Sequence, residues 1–141
     1  MMKSWMKIFA LMLMVVIVVL MSGCTSELKL YIEPSEDMKI CSGQSKTIKV
    51  YADGTDKKIT LDARFLIAQG GQETVSISYE GQKINQIFLG TINKGEETAK
   101  KQVTILGNTD IRSKSVDVTI GLYSGEELLD SKTIVVTIDK C

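Results

Sequence analysis

The feature that most constrains this chain is the alternation of apolar and polar residues in short runs that glycine-containing turns separate. The longest run, residues 58–68, carries apolar side chains at every second position. Successive side chains of a strand point to opposite faces, so a period of two predicts a half-buried β-strand. No helical amphipathic pattern of useful length follows residue 24. The alternating positions of the longest run are Ile59, Leu61, Ala63, Phe65 and Ile67.

The same pattern predicts seven or eight short strands, which is typical of an antiparallel β-sandwich. The only proline, Pro34, interrupts the first strand, which we expect to bend there and resume. Gly121 marks either a bulge or a close contact within its strand. Asp53-Gly54 is a favoured hairpin pair. The predicted strands cover residues 28–32 with 38–41, 46–52, 58–68, 74–79, 84–92, 98–106, 115–123 and 132–139.

The first 23 residues have the composition of an export signal. Lys3 and Lys7 precede a wholly apolar stretch, residues 8–21, and two small residues and Cys24 follow it. A basic start, a short apolar core and a small-residue exit predict a secretory signal. As a helix the apolar stretch would span roughly 21 Å, less than the ~30 Å hydrocarbon core of a bilayer. An uncleaved short anchor remains the alternative.

The end of this segment, Leu20-Met21-Ser22-Gly23-Cys24, resembles the lipobox of prokaryotic lipoproteins. Met21 departs from the leucine that is commonest at its position. The resemblance implies cleavage before Cys24, diacylglycerol on its sulfur, and attachment to membrane lipid on the extracytoplasmic side. The expected organisation is a signal peptide (1–23), a short tether (24–27) and one β-sandwich domain (28–141). The alternative is that Cys24 is incidental.

Two further cysteines, Cys41 and Cys141, remain for an oxidising compartment. An even pair in an exported domain favours a disulfide, which here would join the turn before the second strand to the end of the last. Such a bridge would stabilise the fold and carry no chemistry. The alternatives are two free thiols in a reducing host, or pairing of Cys141 with another chain.

Residue types argue against catalysis. The chain contains no histidine, which excludes Ser-His-Asp and Cys-His machinery. Glu96-Glu97 and Glu126-Glu127 are adjacent pairs, and neighbours in a strand point to opposite faces. The turn at residues 53–56 has too few oxygen ligands for a dedicated calcium loop. Gly70-Gly71 lacks the helix and lysine of a phosphate cradle. We therefore expect no catalytic residue, no metal and no cofactor.

Charge gives no sign of a nucleic-acid partner. The signal holds two of the 17 basic residues and none of the 17 acidic ones, so the remaining chain carries a net charge of −2. These charges are scattered, whereas binding to nucleic acid requires a clustered basic surface.

The pattern of residues 28–140 resembles the immunoglobulin-like modules of bacterial and archaeal surface proteins, such as CARDB-type domains. Gly43 to Ile48 and Ile92 to Thr98 open two of the strands that carry the resemblance. Residues 115–123, Gly125 and residues 133–138 complete it. The resemblance implies an immunoglobulin-like sandwich whose last strand runs parallel to the resumed half of the first. The antibody-type core tryptophan is absent after residue 24.

Three functions are compatible with these features. The first is a non-enzymatic, membrane-anchored module that binds a protein or a surface polymer through loops at one end of the sandwich. The second is an accessory subunit of an envelope complex, for which an exposed apolar patch on a sheet face would argue. The third is a protease-inhibitor-like module. The chagasin-like inhibitors use a proline-containing loop and an Arg-Pro-Trp loop, and this chain has only Pro34 and no tryptophan after its signal.

Overall fold

The computed structural model describes residues 28–108 and 113–141, which form a sandwich of two five-stranded β-sheets. The signal segment and Cys24 lie outside the described residues. The described ranges contain no helix long and apolar enough to cross a membrane. The strands are β1 (Lys29–Glu33), β2 (Met38–Cys41), β3 (Ser45–Asp53), β4 (Ile59–Ile67), β5 (Val75–Tyr79), β6 (Gln82–Lys83), β7 (Gln86–Ile92), β8 (Lys101–Gly107), β9 (Lys114–Ser124) and β10 (Glu127–Asp139).

The sheets have the topology of an immunoglobulin-like sandwich, as the sequence predicts. Sheet A has the strand order β1-β3-β8-β5-β6, and sheet B has the order β2-β10-β9-β4-β7. The pairings are antiparallel except that of β2 with β10, which is parallel and joins Met38 to Val136. The predicted parallel pairing of the last strand with the resumed first strand is therefore confirmed.

The core lies between the sheets and consists of the inward-facing alternate residues. Leu61 and Ala63 of β4 are fully buried, and Phe65 is 7% exposed. Ile59 and Ile67, at the two ends of the same strand, are only half-buried and pack against the core cluster. The period of two thus predicts the inward face of this strand correctly. Burial decreases at its ends, where the facing sheet no longer covers the side chains.

The first strand changes sheets at Pro34, because β1 pairs with β3 in sheet A and β2 pairs with β10 in sheet B. Two aspartates satisfy backbone groups near this crossover. The Asp130 carboxylate accepts a hydrogen bond from the Leu30 amide (2.8 Å), and Asp37 accepts one from the Val135 amide (3.0 Å). Side chains thus replace some of the ladder bonds that a continuous strand would make.

Four sequence-based boundaries need correction. The last strand begins at Glu127, not at residue 132, and its first half forms a hairpin with β9. Residues 98–100 lie outside β8. The strand predicted over residues 84–92 begins at Gln86, since the chain passes from β6 in sheet A to β7 in sheet B at Ile84 and Asn85. The turn at Asp53-Gly54 connects strands of different sheets and does not close a hairpin.

The structure contains the predicted bridge between Cys41 and Cys141. Their Cα atoms are 5.5 Å apart, and the bridge closes a loop with a sequence separation of 100. The parallel register places Cys41 opposite Asp139, two residues before the chain ends. The topology and the cysteine spacing therefore agree.

Candidate functional site

The sandwich has two distinct ends. At the entry end, defined by Leu28, the β3–β4 loop and the β9–β10 turn, the chain enters the domain. At the disulfide end, defined by the Cys41–Cys141 bridge and Gly107, Gly43 donates a hydrogen bond to the carbonyl of Gly107. Asn108 donates to the backbone of Thr74 and so ties the β4–β5 connection to the same end.

A groove of about 820 Å³ opens at the entry end, between the start of β1, the β3–β4 loop and the start of β10. Its lining combines the apolar residues Leu28, Ile59 and Leu129 with side chains of both charges. Asp130 is already engaged with the Leu30 amide. The balanced lining selects no ligand charge, so the groove alone does not define a binding site. The charged residues that line it are Lys29, Lys57 and Lys132 with Asp56, Glu127 and Asp130.

Two tyrosines on the outer face of sheet A form a stack with a cation over each end. The rings of Tyr31 and Tyr51 are 5.2 Å apart with an interplanar angle of 15°. The Lys100 ammonium lies 4.8 Å from the Tyr51 centroid, and that of Lys132 lies 5.6 Å from the Tyr31 centroid. Each ring thus contacts the other ring and a cation, so the stack joins β1 to β3 and accounts for the position of both lysines.

Glu33 completes this cluster. The Tyr51 hydroxyl donates to the Glu33 carboxylate at 2.8 Å, and Lys100 forms an ion pair with it at 3.5 Å. The hydrogen bond from Tyr51 is the main cause that lowers the pKa of Glu33. The same bond to a carboxylate raises the pKa of Tyr51 to about 12. The cluster is thus a charge-assisted structural contact on the surface.

The structure does not assemble the adjacent glutamate pairs, or the turn at residues 53–56, into a catalytic or metal site. Glu96 accepts a hydrogen bond from the Asn93 amide within its own turn (3.0 Å). Glu126 is 95% exposed and pairs with Arg64 at 3.6 Å. Within residues 28–108 and 113–141, no group of three or more His, Cys, Asp or Glu is placed to hold a metal ion. Asp53 accepts from the next amide, at Gly54 (2.6 Å), as an ordinary turn residue does.

Gly70-Gly71 belongs to the connection between β4 and β5, as predicted. Gly70 has a φ of +85°, and the Gly71 amide donates to the Ala68 carbonyl at 2.8 Å. A Cβ at Gly71 would come within 3.0 Å of Ile67 and Val116 side-chain atoms. Close packing accounts for Gly71.

A row of side chains crosses the outer face of sheet B. Register places Leu128 opposite Tyr123, Tyr123 opposite Asp62, and Asp62 opposite Phe88. Phe88 is 60% exposed and Leu128 is 54% exposed. Leu66, on the same face of β4, is 69% exposed. Tyr123 and Asp62 stand between Leu128 and Phe88, and Leu66 lies four residues along β4 from Asp62, so these exposed apolar side chains do not form one contiguous patch.

Arg64 and Gly121 shape the middle of this row. The Arg64 guanidinium lies 4.1 Å from the Tyr123 centroid and donates to the Gly125 carbonyl at 2.7 Å. A Cβ at Gly121 would lie 2.6 Å from the Tyr123 ring. Gly121 therefore marks a close contact, one of the two roles that its position in the strand predicts. The ring is held between glycine and arginine, which leaves Phe88 and Leu128 as the accessible apolar groups.

Comparisons with known proteins identify the fold alone. No family model matches the chain, and no curated protein matches it. Among solved structures it is similar to the CARDB domain of the PF1109 protein from Pyrococcus furiosus, solved in complex with di-metal ions. The identity is 11% and the TM-score is 0.52, over 83% of this chain and 96% of that one.

Two further similarities cover most of both chains. AvmM, which catalyses macrocyclization in alchivemycin A biosynthesis, has a TM-score of 0.54 at 6% identity, over 83% of this chain and 91% of AvmM. SSP-19, an MSP-domain protein-like family member of Caenorhabditis elegans, has a TM-score of 0.49 at 12% identity, over 77% of this chain and 97% of that one. The fold class of this chain is an immunoglobulin-like β-sandwich that resembles the CARDB domain in architecture.

Proposed function

We propose that the chain is a membrane-anchored lipoprotein that presents one immunoglobulin-like domain outside the cytoplasm, where the domain binds a protein or a surface polymer. The observation that carries the proposal is the Ser22-Gly23-Cys24 exit from an apolar run, four residues before the described domain begins. A lipidated Cys24 would attach the chain to membrane lipid, and more than one acyl chain is needed for a stable anchor.

The short tether gives the proposal a geometric consequence. From Cys24 to Leu28 there are four residue steps, which span at most roughly 14 Å when fully extended. The entry end would therefore stay close to the bilayer and the disulfide end would face away from it. A disulfide between Cys41 and Cys141 fits an oxidising compartment.

A non-enzymatic role agrees with the residues of the chain. AvmM shows that a similar sandwich can belong to a catalyst, so the side chains must decide the question. The chain has no histidine to act as a general base. In the cluster around the tyrosine stack, Glu33 already engages the Tyr51 hydroxyl and Lys100, and the charges that line the entry-end groove balance.

The alternative of an accessory subunit in an envelope complex has one observation in its favour. Phe88 and Leu66 are exposed on the outer face of sheet B, and an apolar sheet face favours contact with a protein subunit. Polar loops at the disulfide end, which would face away from the bilayer, fit the tethered binder, and residues 69–73 between β4 and β5 form one of them. Both roles have the same anchor and differ in the surface that the partner contacts.

Fractionation of the producing cells tests the anchor. We expect the wild-type chain in the membrane fraction, released by detergent but not by high salt. Cys24→Ser should remove the lipid attachment and shift the protein out of the detergent-dependent pool. Cys41→Ser, which leaves Cys24 intact, is the matched control and should stay membrane-bound. Equal fractionation of wild type and Cys24→Ser would contradict the proposal.

Affinity capture tests the binding role. The membrane-extracted protein should retain a defined protein or polymer through washing. Variants with lysine or leucine substitutions on each sheet face would map the contact. Substitutions on sheet B that release the partner would favour the subunit role. Substitutions in the entry-end or disulfide-end loops that release it would favour the tethered binder.

A further inference from the structure

Strand β7 forms an open edge of sheet B. It is the last strand in the order β2-β10-β9-β4-β7, and within the described residues no other strand pairs with its outer side. Edge strands present unpaired N–H and C=O groups that an added strand can bond. Natural sequences usually protect such an edge with a charge or a proline, yet Gln86–Ile92 contains neither.

The other long sheet edges in the described region differ from β7. β1 carries the charged residues Lys29 and Glu33, and its neighbourhood includes the tyrosine stack. β2, the opposite edge of sheet B, has four residues and carries Lys39, and Asp37 just before it bonds the Val135 amide. β6 has only two residues. β7 is therefore the least protected edge of the sandwich that the structure describes.

A large exposed apolar side chain lies on this edge. Phe88, in the middle of β7, is 60% exposed. A register irregularity between Leu61 and Asp62 coincides with Gly90, whose φ is +125°. The register skips Leu89, which is the extra residue of this bulge. A bulge bends the strand locally, so the regular part of the edge is residues 86–88.

A small pocket of about 400 Å³ opens at the beginning of β7. Lys83, Ile84, Asn85 and Gln86 line it, and Lys83 is its only charged residue. An extended peptide that ran antiparallel to β7 would bring its carboxyl-terminal end to this pocket. An ammonium group and two side-chain amides are suited to a carboxylate.

We propose that the β7 edge binds an extended segment of a partner protein, which adds antiparallel to residues 86–88. This inference deepens the proposed binding function and depends on it. The segment would have an apolar side chain where it passes Phe88 and a carboxylate where it meets Lys83. Main-chain bonds would supply affinity, and the alternate side chains would supply specificity.

A second copy of this chain fits the edge less well. Antiparallel pairing of β7 with β7 would relate the two copies by a two-fold axis perpendicular to the strands. Their entry ends would then point in opposite directions. Two chains attached to one bilayer through Cys24 and a four-residue tether could not meet in that way. The membrane-anchored protein is therefore expected to use this edge for another polypeptide.

Selection from a library of 12-residue peptides displayed with free carboxyl termini, against the full chain in detergent, tests the inference. Enriched peptides should alternate apolar and polar residues. Since every member of the library ends in a carboxylate, the amidated form of an enriched peptide tests the role of that group. Fluorescence anisotropy should show at least ~tenfold weaker binding to Phe88→Lys and to Lys83→Glu. Amidation of the peptide should weaken its binding to wild type but change its binding to Lys83→Glu little.

Leu106→Lys is the matched control, since Leu106 is an exposed leucine on the outer face of sheet A. It should bind the peptides within about twofold of wild type. Three results would overturn the inference: no enriched peptide, peptides that Phe88→Lys does not weaken, or a wild-type dimer that Phe88→Lys dissociates. If any of these occurs while Cys24-dependent anchoring and partner capture persist, the proposed function stands and only this edge is excluded.

Discussion

Thr98 lies outside β8, yet its backbone and its side chain both bond to Ala52 of β3. The Thr98 amide donates to the Ala52 carbonyl, and its hydroxyl accepts from the Ala52 amide, each at 2.9 Å. Thr98 is 2% exposed and Ala52 is fully buried. At the scale of single residues, one hydroxyl thus satisfies a backbone donor that the sheet would otherwise leave unpaired.

Thr98→Val should therefore destabilise the fold by about 1–3 kcal/mol, because the buried Ala52 amide would lose its acceptor. Urea unfolding measures the change. Thr104→Val is the control, since Thr104 lies on the outer face of β8, and it should stay within ~0.5 kcal/mol of wild type. Equal stabilities of the two variants would show that the Ala52 amide finds another partner.

Tyr51 and Glu33 give a second prediction at this scale, in their titration. Glu33→Gln should lower the pKa of Tyr51 from about 12 toward its ordinary value of 10.0, because the carboxylate that favours the protonated hydroxyl is lost. NMR of labelled tyrosine Cζ follows this directly. The raised pKa means that Tyr51 contributes stability fully below pH 10, and that this contribution is lost as pH rises through about 12. An unchanged Tyr51 titration in the Gln variant would contradict the assignment.

The strands show which parts of the fold the sequence can predict. Ile134, Val136 and Ile138 all point into the core and are buried. Their apolar alternation therefore predicts this part of the last strand correctly. Asp130 and Lys132 continue the same phase with polar side chains, so the pattern places the beginning of the strand too late. Tertiary contacts explain these polar side chains. β1 passes beside them, where Asp130 accepts a hydrogen bond from its backbone and Lys132 lies as a cation over Tyr31.

The exposed edge was not predictable for a related reason. The bulge at Gly90 breaks the period of two within β7, so alternation alone does not show which of Phe88 and Leu89 faces the core. Leu89 proves to be buried and Phe88 exposed. By contrast, the disulfide follows from the cysteine count and the expected topology, which depend on whole strands and tolerate errors of a few residues.

Asp130→Ala tests the contact between the sheets at the scale of elements. The Leu30 amide would lose its acceptor, and Leu30 is fully buried, so we expect a loss of about 1–3 kcal/mol in the free energy of unfolding. Amide exchange of Leu30 should also accelerate. Asp117→Ala, an exposed position on β9, should have little effect on either measurement. Unchanged exchange at Leu30 would rule out the role of Asp130.

At the scale of the whole molecule, the disulfide joins the last residue of β2 to Cys141 and encloses nearly the entire domain. The chain-entropy model assigns up to ~4.7 kcal/mol to a loop of this length, and measured bridges typically contribute ~2–4 kcal/mol. The parallel pairing of β2 with β10 lies beside the bridge. Loss of the bridge should therefore loosen β2 first.

The double variant Cys41→Ser with Cys141→Ser should keep the fold and unfold at lower denaturant concentration, by about 2–4 kcal/mol. Wild type treated with a reductant should match it, and amide exchange should show the largest increase in residues 38–41. A double variant as stable as oxidised wild type would mean that the bridge contributes nothing to the folded state.

Intact-mass spectrometry of the membrane-extracted protein tests the central claim most directly. The account predicts a 118-residue chain that begins at Cys24, carries diacylglycerol on that residue, and is two hydrogens lighter than the reduced form because Cys41 and Cys141 are joined. A 141-residue chain with three free thiols and no lipid would contradict it.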